Sequence, residues 1–442
     1  MNFNKRSALK IFTLLTLILI AVAVGGISGW EYTNSDSFCT YVCHSVHPEE
    51  AYAHQVSSHV RVTCAECHIG RLPTLKAMAI KSTHTLHVWY LLVGYDRPLS
   101  SHSMKSSRSS CESCHSTRPH DVNFIRSNKS YAKDEANTET QTHLVMHIAG
   151  GIYRDDQSRG IRWHTENEVR FIPRDHHKQS IPWIEVSRKD GSTEVYMDKN
   201  DPLEENEIAD SHKHLMDCLD CHNRIGHAFP DPEAEVDRAL AGGKIDRTFP
   251  YIKATVADLF NRDFSNEEDA LHIVREAWAA YQRKFPHLAQ EYPEAFAEAQ
   301  KFLEERQQLV TDLLVRGRFE AIDVSWKSFP DNLGHKDFPG CFRCHDGKHL
   351  NEKCEPVRRQ CTLCHNVPAV ISEGDPPPRF MNPFAFNKPS FHNDYNFPEQ
   401  HKTHDGDTSM KCKLCHGKME HGNNNSTFCS NRACHGMNWP GL

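Results

Sequence analysis

The chain has 442 residues, of which only 38% are hydrophobic, and its formal net charge is −7. This charge excludes a strongly basic nucleic-acid-binding protein, and the 22 Phe, 12 Tyr and 7 Trp argue against a wholly disordered chain. Cys and His are over-represented, with 17 and 31 copies. The spacing of the cysteines therefore has to decide between a disulfide framework, zinc sites and covalent cofactors.

The first predicted element is an apolar N-terminal helix. A basic segment at residues 5–10 precedes an apolar run from Ile11 to Ile27, and residues 11–30 as a helix span about 30 Å, the thickness of a bilayer core. The positive-inside rule places the N-terminus in the cytoplasm and the rest of the chain outside it. A cleaved leader is the alternative, because residues 21–23 (Ala-Val-Ala) resemble a signal-peptidase site. Both interpretations export the same domain.

Sixteen of the 17 cysteines fall into eight pairs, and every pair is followed directly by a histidine. Six pairs have the spacing Cys-x-x-Cys-His, namely Cys64/Cys67/His68, Cys111/Cys114/His115, Cys218/Cys221/His222, Cys341/Cys344/His345, Cys361/Cys364/His365 and Cys412/Cys415/His416. The other two have longer spacers, of three residues in Cys39/Cys43/His44 and of four in Cys429/Cys434/His435.

This spacing is that of c-type haem attachment. Two thiols form thioethers with the vinyl groups of the porphyrin, and the adjacent imidazole is the proximal ligand of the iron. Zinc knuckles need two Cys-x-x-Cys units per metal and give no reason for the adjacent histidine. We therefore expect eight covalent haem c groups, held by these sixteen cysteines with the eight adjacent histidines as proximal ligands.

The other histidines are numerous enough to supply a second axial ligand to each iron. Removing the eight motif histidines from 31 leaves 23, whereas the chain has only 10 Met. Mainly bis-His ligation and low reduction potentials are therefore expected. Cys354 lies outside every pair and is interpreted as a free thiol packed near a haem, with a redox or intermolecular role as the alternative.

Two stretches without motifs separate the haem-binding segments. Residues 120–210 contain two β-type runs, 181–187 and 193–197, that flank a Lys-Asp-Gly turn and predict a β-hairpin. The stretch from residue 231 to residue 320 has 18 acidic and 12 basic residues, a net charge of −6. This charge favours a solvated helix face, with an acidic docking face for a partner cytochrome as the alternative.

Apolar residues recur at helical spacing within this acidic stretch. The pattern predicts helices over Glu268–Lys284 and Pro293–Arg316, with a capping box at residues 265–268.

The predicted fold is a mainly α and irregular multihaem cytochrome c with one N-terminal transmembrane helix and a small β-hairpin insertion, in which haems replace much of the apolar core. Four segments are expected in chain order. They are a cytoplasmic N-terminus and anchor (1–30), a tetrahaem domain (31–230) with the insertion (120–210), an acidic helical linker domain (231–330) and a C-terminal tetrahaem domain (331–442).

The N-terminal half resembles the NapC/NirT family of membrane-anchored tetrahaem cytochromes. The resemblance covers residues of about 1–125 and 208–230, and is carried by the anchor and by residues 38–44, 60–68, 76–89 and 218–227. It implies oxidation of menaquinol or a related quinol at the membrane, with electrons passed to periplasmic cytochromes or a terminal reductase.

The same resemblance implies roles for individual residues. His54 matches the distal ligand upstream of the second motif, with His59 as its competitor, and His227 matches the histidine after the fourth motif. Lys81 matches the family lysine near the quinol site. His87 stands where the family has an acidic residue, and is a candidate either for accepting the proton of the quinol or for distal ligation.

The first motif departs from the family pattern. Its spacer is one residue longer, Val46 occupies the usual Met position, and His47 follows as a ligand candidate. This departure, together with His87, puts the quinol chemistry of the family in question for this chain.

The C-terminal half resembles the tetrahaem module fused to such proteins in inner-membrane multihaem cytochromes of metal-reducing bacteria. Residues 332–349 are its most distinctive part, where His335 and His349 bracket one motif as candidate distal ligands. His401 and His404 precede the motif at 412 in the same way, and His404 is taken as the candidate there.

These features predict an octahaem cytochrome anchored once in the cytoplasmic membrane, with its haem domains on the periplasmic side. It would carry electrons from the quinol pool to periplasmic acceptors in anaerobic respiration, as a quinol dehydrogenase or as a pure electron carrier. Two alternatives are a multihaem reductase of a small nitrogen or sulfur oxyanion and a structural electron-conducting cytochrome. The first needs an open haem site, and the chain has no Cys-x-x-Cys-Lys motif; a retained anchor is awkward for the second.

Overall fold

The protein is described by a computed structural model that covers residues 5–43, 49–93, 110–115, 124–148, 160–188, 190–229, 231–263, 266–316, 326–359, 363–375, 401, 422, 430–435 and 437–442. The chain divides into two compact units. Unit 1 comprises Met1–Ser116, Ile225–Ala228 and Leu313–Glu320, and unit 2 comprises Thr117–Arg224, Phe229–Asp312 and Ala321–Leu442. The motif at Cys218 and the insertion at 120–210 thus lie largely in the same unit as the C-terminal motifs.

Unit 1 begins with a long apolar helix. Its helices are α1 (Lys5–Thr33), α2 (Asp36–Phe38), α3 (Glu49–Gln55), α4 (Cys64–His68) and α5 (Thr74–Val93). Within α1, the 25-residue segment Leu9–Thr33 contains an 18-residue window of mean hydropathy 2.5, none of which is buried in the protein. A helix of this length extends about 37 Å, which is enough to cross a bilayer core of about 30 Å. The apolar helix predicted from the sequence is therefore present.

Unit 2 contains a five-stranded antiparallel sheet. Its strands are β3 (Glu168–Ile172), β4 (Trp183–Ser187), β5 (Thr193–Asp198), β6 (His214–Leu215) and β7 (His349–Leu350), in the order β6-β3-β4-β5-β7. The predicted hairpin is confirmed as β4 and β5, which pair from Trp183↔Met197 to Ser187↔Thr193. Gly191 supplies the positive φ of its turn, 86°.

A second sheet lies in the same unit. It has three strands in the order β1 (Phe124–Tyr131), β2 (Glu139–Met146) and β8 (Ala369–Ser372), all antiparallel. The fold is therefore mixed helix and sheet, and its β-structure exceeds the single hairpin predicted. Most of the excess lies in or next to the insertion, as β1, β2, β3 and β6. The rest is β7 and β8, short C-terminal strands whose partners lie in the insertion, a pairing that no local pattern indicates.

The acidic stretch forms a helical layer with an apolar core of its own. Short helices α6 (Trp163–Glu166) and α7 (Glu205–Asp210) precede it, and its helices are α8 (Pro232–Ala241), α9 (Ile252–Phe260), α10 (Glu267–Lys284), α11 (Pro286–Glu291) and α12 (Pro293–Arg316). The two long helices predicted from apolar spacing are confirmed as α10 and α12. Asn266 is the N-cap of α10 and accepts a hydrogen bond from the Asp269 backbone N–H in place of the predicted Ser265.

This helical core includes a buried ion pair. Lys253 is 1% exposed and its Nζ donates to Asp237 Oδ1 at 2.6 Å and to the Glu233 carbonyl at 2.7 Å. Val256, Trp278 and other apolar residues are buried in the same helical layer. Their side chains give the linker stretch an apolar interior like that of an ordinary helical domain.

Candidate haem sites

The four motifs that are described from the first cysteine to the histidine each fold into one helical turn. In three motifs the histidine N–H donates to the carbonyl of the first cysteine, at 2.8 Å in His115→Cys111, 2.8 Å in His222→Cys218 and 3.0 Å in His345→Cys341. The motif at Cys64 forms the whole of α4, which Thr63 and Glu66 open with a reciprocal capping box. A single helical turn thus presents two sulfur atoms and one imidazole together, as haem attachment requires.

The two long spacers are accommodated in different ways. Cys39–Cys43 forms a π-helical turn. A π-turn contains one residue more than an α-turn, which accommodates the extra residue of this spacer. In the last motif the His435 N–H donates to Asn431 O at 3.0 Å, so the turn begins at Asn431 and its first cysteine, Cys429, precedes it in the chain. Both arrangements keep the second cysteine next to its histidine.

The thiols of the described motifs are not joined to one another as disulfides. All twelve described cysteines, Cys354 included, are unbridged thiols. Burial raises the pKa of the Cys344 thiol to about 12 and, with the neighbouring Cys341 as a smaller contribution, raises the pKa of Cys221 to about 12. Burial also raises the pKa of Cys67. Half-buried, neutral thiols beside an imidazole fit covalent attachment of an apolar macrocycle better than a disulfide framework.

The second cysteines of three other motifs are also described. The prediction places thioether bonds to haem at Cys114, Cys364 and Cys434. Cys364 and Cys434 are half-buried, as Cys67, Cys221 and Cys344 are, whereas Cys114 is exposed. The Cys114 thiol accepts a weak hydrogen bond from Ser113 Oγ at 3.8 Å. Because a porphyrin edge can reach a surface thiol, this exposure does not exclude attachment, and haem binding at these three cysteines stays a prediction.

The backbone nevertheless holds these three cysteines in the turns of their motifs or against the second sheet. The Cys114 N–H donates to Cys111 O at 3.1 Å, and the Cys434 N–H donates to Asn431 O at 3.0 Å. The Cys364 carbonyl accepts from the His147 N–H at 2.8 Å, directly beyond the end of β2. Main-chain hydrogen bonds thus fix the positions of all three cysteines.

Five motif histidines in the described residues each face an imidazole from elsewhere in the chain. The ring centres are 6.0 Å apart in His68 and His227, 5.9 Å in His115 and His59, 5.7 Å in His345 and His164, 6.2 Å in His365 and His335, and 6.4 Å in His435 and His401. A metal–imidazole bond is about 2 Å, so two imidazoles on opposite sides of one metal have ring centres about 6 Å apart. All five pairs fit this separation.

The pair of His164 and His345 has the most complete ligand geometry. Their Nε2 atoms are 3.5 Å apart. His164 Nδ1 lies 2.8 Å from Ile161 O, and His345 Nδ1 binds Arg358 O. A carbonyl only accepts, so each Nδ1 carries the proton and each Nε2 lone pair faces the other ring. Burial lowers the pKa of His164 and lowers that of His345 to about 4, which keeps both rings neutral, the form that binds metal.

The other pairs repeat parts of this arrangement. His227 Nδ1 lies 2.9 Å from Glu50 O, and His365 Nδ1 lies 2.6 Å from Asn366 O. His335 is half-buried, its buried Nδ1 has no hydrogen-bond partner among the described residues, and desolvation lowers its pKa to about 4. A neutral imidazole facing a motif histidine is the donor that six-coordinate iron requires.

The candidate distal ligands from the sequence are placed differently from one another. His227 and His335 face motif histidines, as described above. His54 Nε2 donates to Val62 O at 2.9 Å, and its ring lies 6.3 Å from that of His227. His349 has both ring nitrogens engaged, with Nδ1 2.9 Å from Asp346 Oδ1 and Nε2 2.5 Å from Ile181 O.

Several predicted site residues lie outside the described residues. The side chain of His87 is among them, although its backbone belongs to α5. The others are the side chain of Cys43, and His44, His47, Cys361, His404, Cys412, Cys415, His416 and Cys429.

His164 is the ligand candidate that sequence reasoning missed. It lies in α6 within the insertion, 181 residues before His345 in the chain. No sequence pattern points to it, because a distal imidazole needs only to reach the iron and has no fixed spacing from the motif. His59 and His401 entered the sequence interpretation only as competitors of His54 and His404.

Lys81 lies at the C-terminal end of the apolar helix α1. Its Nζ donates to the Thr33 carbonyl at the end of α1 and to Asn34 Oδ1 at 3.0 Å, and lies 5.3 Å from the centre of the Trp30 ring. A cation at a helix C-terminus binds the unpaired carbonyls and is stabilised by the helix dipole. Lys81, the lysine predicted for the quinol site, therefore connects α5 to the C-terminal end of α1 through hydrogen bonds.

Thiol pairs turned toward an adjacent histidine, with a second imidazole facing that histidine, define a c-type cytochrome. Among curated proteins, the chain is similar to cytochrome c-type protein ImcH of Geobacter sulfurreducens (strain ATCC 51573 / DSM 12127 / PCA), with 33% identity over 387 residues that cover 86% of this chain and 75% of the relative. The chain belongs to the family of this c-type cytochrome. No protein-family model and no solved structure matches it, so the NapC/NirT resemblance stays a prediction.

Proposed function

We propose that this protein is an octahaem cytochrome of the cytoplasmic membrane that takes electrons from quinol and passes them to periplasmic acceptors. The observation that carries the proposal is the set of five imidazole pairs, each at the ring separation expected for bis-His ligation. An iron with two imidazole ligands has no open position for a substrate. Electron transfer is therefore favoured over reduction of an oxyanion at these sites.

The residues would hold haem in a defined way. The cysteine pairs would form the thioethers, and the adjacent and the facing histidines would bind the iron. Bound haem supplies a one-electron couple at each site. The protein contributes neutral imidazoles whose tautomer is fixed by carbonyl acceptors such as Ile161 O. Because these rings are already oriented, they would not have to move when the iron changes charge.

The C-terminal end of α1 supports quinol as the donor. Quinol is dissolved in the bilayer, and α1 contains an 18-residue window with a mean hydropathy of 2.5. Lys81 lies at the end of this helix next to Trp30, in the region where an apolar donor would meet the motif at Cys39. Lys81 and His87 are proposed as quinol-site residues, and periplasmic cytochromes or a terminal reductase as acceptors.

Two measurements on the holoprotein test the proposal. The intact mass should correspond to eight attached haems, and a mass for six would remove the two long-spacer motifs. In liposomes, a menaquinol analogue should reduce the haems of the protein on mixing. If the analogue fails while dithionite reduces all haems, the quinol role is wrong. Steady turnover of nitrite or hydroxylamine would instead favour the reductase.

Replacing Lys81 separates its two roles. In the Lys81→Met variant we expect slower reduction by the quinol analogue, because the cation at the quinol site is lost, with little change in haem content. Lys81→Arg keeps the charge at the end of α1 and should retain more of the rate. Lys76→Met, on the same helix, is the matched control. Equal rates for all four proteins would exclude Lys81 from the quinol site.

A further inference from the structure

The motifs at Cys218 and Cys341 are joined directly through their central residues. Asp220 and Arg343 each precede the second cysteine of their motif. Arg343 Nη2 donates to Asp220 O at 2.7 Å. The charge of Cys341 contributes to raising the pKa of Cys221, and the charges of Cys221 and Cys341 contribute to raising that of Cys344, so the three thiols lie close together. These cysteines would attach two different haems, so the two attachment points lie side by side.

Arg343 is a buried cation with only carbonyl acceptors among the described residues. It is 9% exposed, and besides Asp220 O it donates to Gly340 O at 2.8 Å and to Lys178 O at 2.9 Å. No described carboxylate forms an ion pair with it. Burial raises the pKa of the thiols of Cys221, Cys341 and Cys344. The positive charge of Arg343 opposes this rise at all three, so Arg343 lies near each of them.

A third segment, the loop at Lys178 in the insertion, contacts both sides of the junction between the motifs at Cys218 and Cys341. Lys178 has a left-handed backbone, with φ 55°, and its Nζ pairs with Asp220 Oδ1 at 2.7 Å. The Asp220 side chain is 6% exposed, and its Oδ2 accepts from the Asp217 N–H at 2.8 Å. Because Lys178 neutralises Asp220 locally, the charge of Arg343 is left as the unbalanced one at this junction.

We propose that the haems attached at Cys218/Cys221 and at Cys341/Cys344 are the pair through which electrons pass between the four N-terminal and the four C-terminal motifs, and that Arg343 is the positioning residue of this pair. The inference rests on the proposed electron-conducting function. One electron crosses in each step, so the donor iron goes from ferrous to ferric while the acceptor iron goes from ferric to ferrous, and no proton moves.

Arg343 also sets the potentials of the pair. A reduced iron carries one positive charge less than an oxidised one, so a nearby buried cation favours the reduced state and raises the reduction potential. The guanidinium fork reaches carbonyls of three segments at once, which a single ammonium does not. Charge and positioning are therefore separable by substitution.

Three variants of the full-length holoprotein test the proposal. In Arg343→Met we expect two haems to shift to lower potential in a spectroelectrochemical titration, and the exciton splitting of the Soret circular dichroism to decrease. Arg343→Lys keeps the charge, so its potentials should stay near those of the wild type while the splitting still decreases. Arg275→Met removes an exposed arginine on α10 and should change neither.

The outcomes are distinct. If Arg343→Met holds its full haem complement and its titration and Soret spectrum match the wild type, the proposal is overturned. If that variant does not fold, Lys178→Met is measured, and an unchanged Soret splitting there overturns the positioning of the junction equally. Neither readout involves quinol, so failure of quinol reduction with these shifts intact would contradict the proposed function and leave the junction standing.

Discussion

The role of each histidine is decided by what its two ring nitrogens contact. His164 and His227 each present Nδ1 to a backbone carbonyl, which leaves Nε2 for a metal. His349 uses both nitrogens, on Asp346 and on Ile181, and has none left. All three residues are histidines outside the motifs, and their distances from a motif along the chain do not show which of them can bind iron.

Substituting His164 should remove one axial ligand. In His164→Ala we expect the haem at Cys341/Cys344 to become high-spin while the others stay low-spin, because only that iron loses its facing imidazole. Electron paramagnetic resonance of the oxidised holoprotein measures the change. His272→Ala, an exposed histidine on α10 with 66% side-chain exposure, is the control. A fully low-spin spectrum of His164→Ala would contradict the assignment.

Substituting His349 should give the opposite result. In His349→Ala all haems are expected to stay low-spin, while the free energy of unfolding falls by about 1–3 kcal/mol because the buried Asp346 carboxylate and the Ile181 carbonyl lose their donor. Guanidinium unfolding followed by far-ultraviolet circular dichroism measures the loss. A new high-spin signal in this variant would make His349 an iron ligand.

At the scale of elements, short strands join the insertion to the C-terminal part of unit 2. The β7 strand pairs with β5 through Met197↔Leu350 and Asp198↔His349. Beside this pairing, Glu194 accepts from Asn351 Nδ2 at 2.7 Å and from Arg188 Nη2 at 2.5 Å. A strand of two residues cannot persist alone, so these side-chain contacts hold it in register.

The Glu194 carboxylate should stabilise this pairing in a pH-dependent way. Burial opposes its ionisation, but donors from Arg188 and Asn351 outweigh burial and lower the pKa of Glu194. Since the folded pKa is depressed, the stabilisation is present above the unfolded value of about 4.3 and is lost as pH falls through the folded pKa.

Amide hydrogen exchange measures this effect locally. At pH 7 the Glu194→Gln variant should exchange faster than the wild type over residues 193–198 and 349–350, and the difference should shrink as the pH is lowered below about 4. Glu168→Gln, on β3 in the same sheet, is the control. A difference that stays constant with pH would show that the carboxylate charge is not what stabilises the pairing.

At the scale of the whole molecule, unit 2 is built from both sides of the acidic stretch. Thr117–Arg224 and Ala321–Leu442 belong to it together with Phe229–Asp312, and both sheets take a strand from after residue 340. The tetrahaem segments predicted at 31–230 and 331–442 stay predictions. The motif at Cys218 nonetheless depends on Arg343 and Lys178 for its surroundings.

Truncation tests this dependence. A chain ending at residue 325 lacks β7, β8 and Arg343, so we expect loss of soluble unit 2 and faster exchange throughout β2 and β5. A chain ending at residue 375 keeps both strands and lacks only the last two motifs, and should retain that protection. If the shorter chain keeps native exchange rates, the C-terminal strands are not needed for the fold.

The sequence by itself determined the features that depend on local spacing. The thiol pairs, the adjacent proximal histidines, the apolar N-terminal helix, the hairpin and the helices α10 and α12 are all set by residues within one or a few turns of each other, where covalent geometry and side-chain periodicity leave few alternatives.

Only the tertiary structure decided which histidine faces which motif and which motifs are neighbours. His164 and His345 are 181 residues apart, and any of the 23 histidines outside the motifs has the chemistry of a distal ligand. An axial bond requires only that an imidazole reach the iron, so chain separation carries no information about it. The same holds for Arg343 and Asp220, which meet because the sheets and the loop at Lys178 close around them.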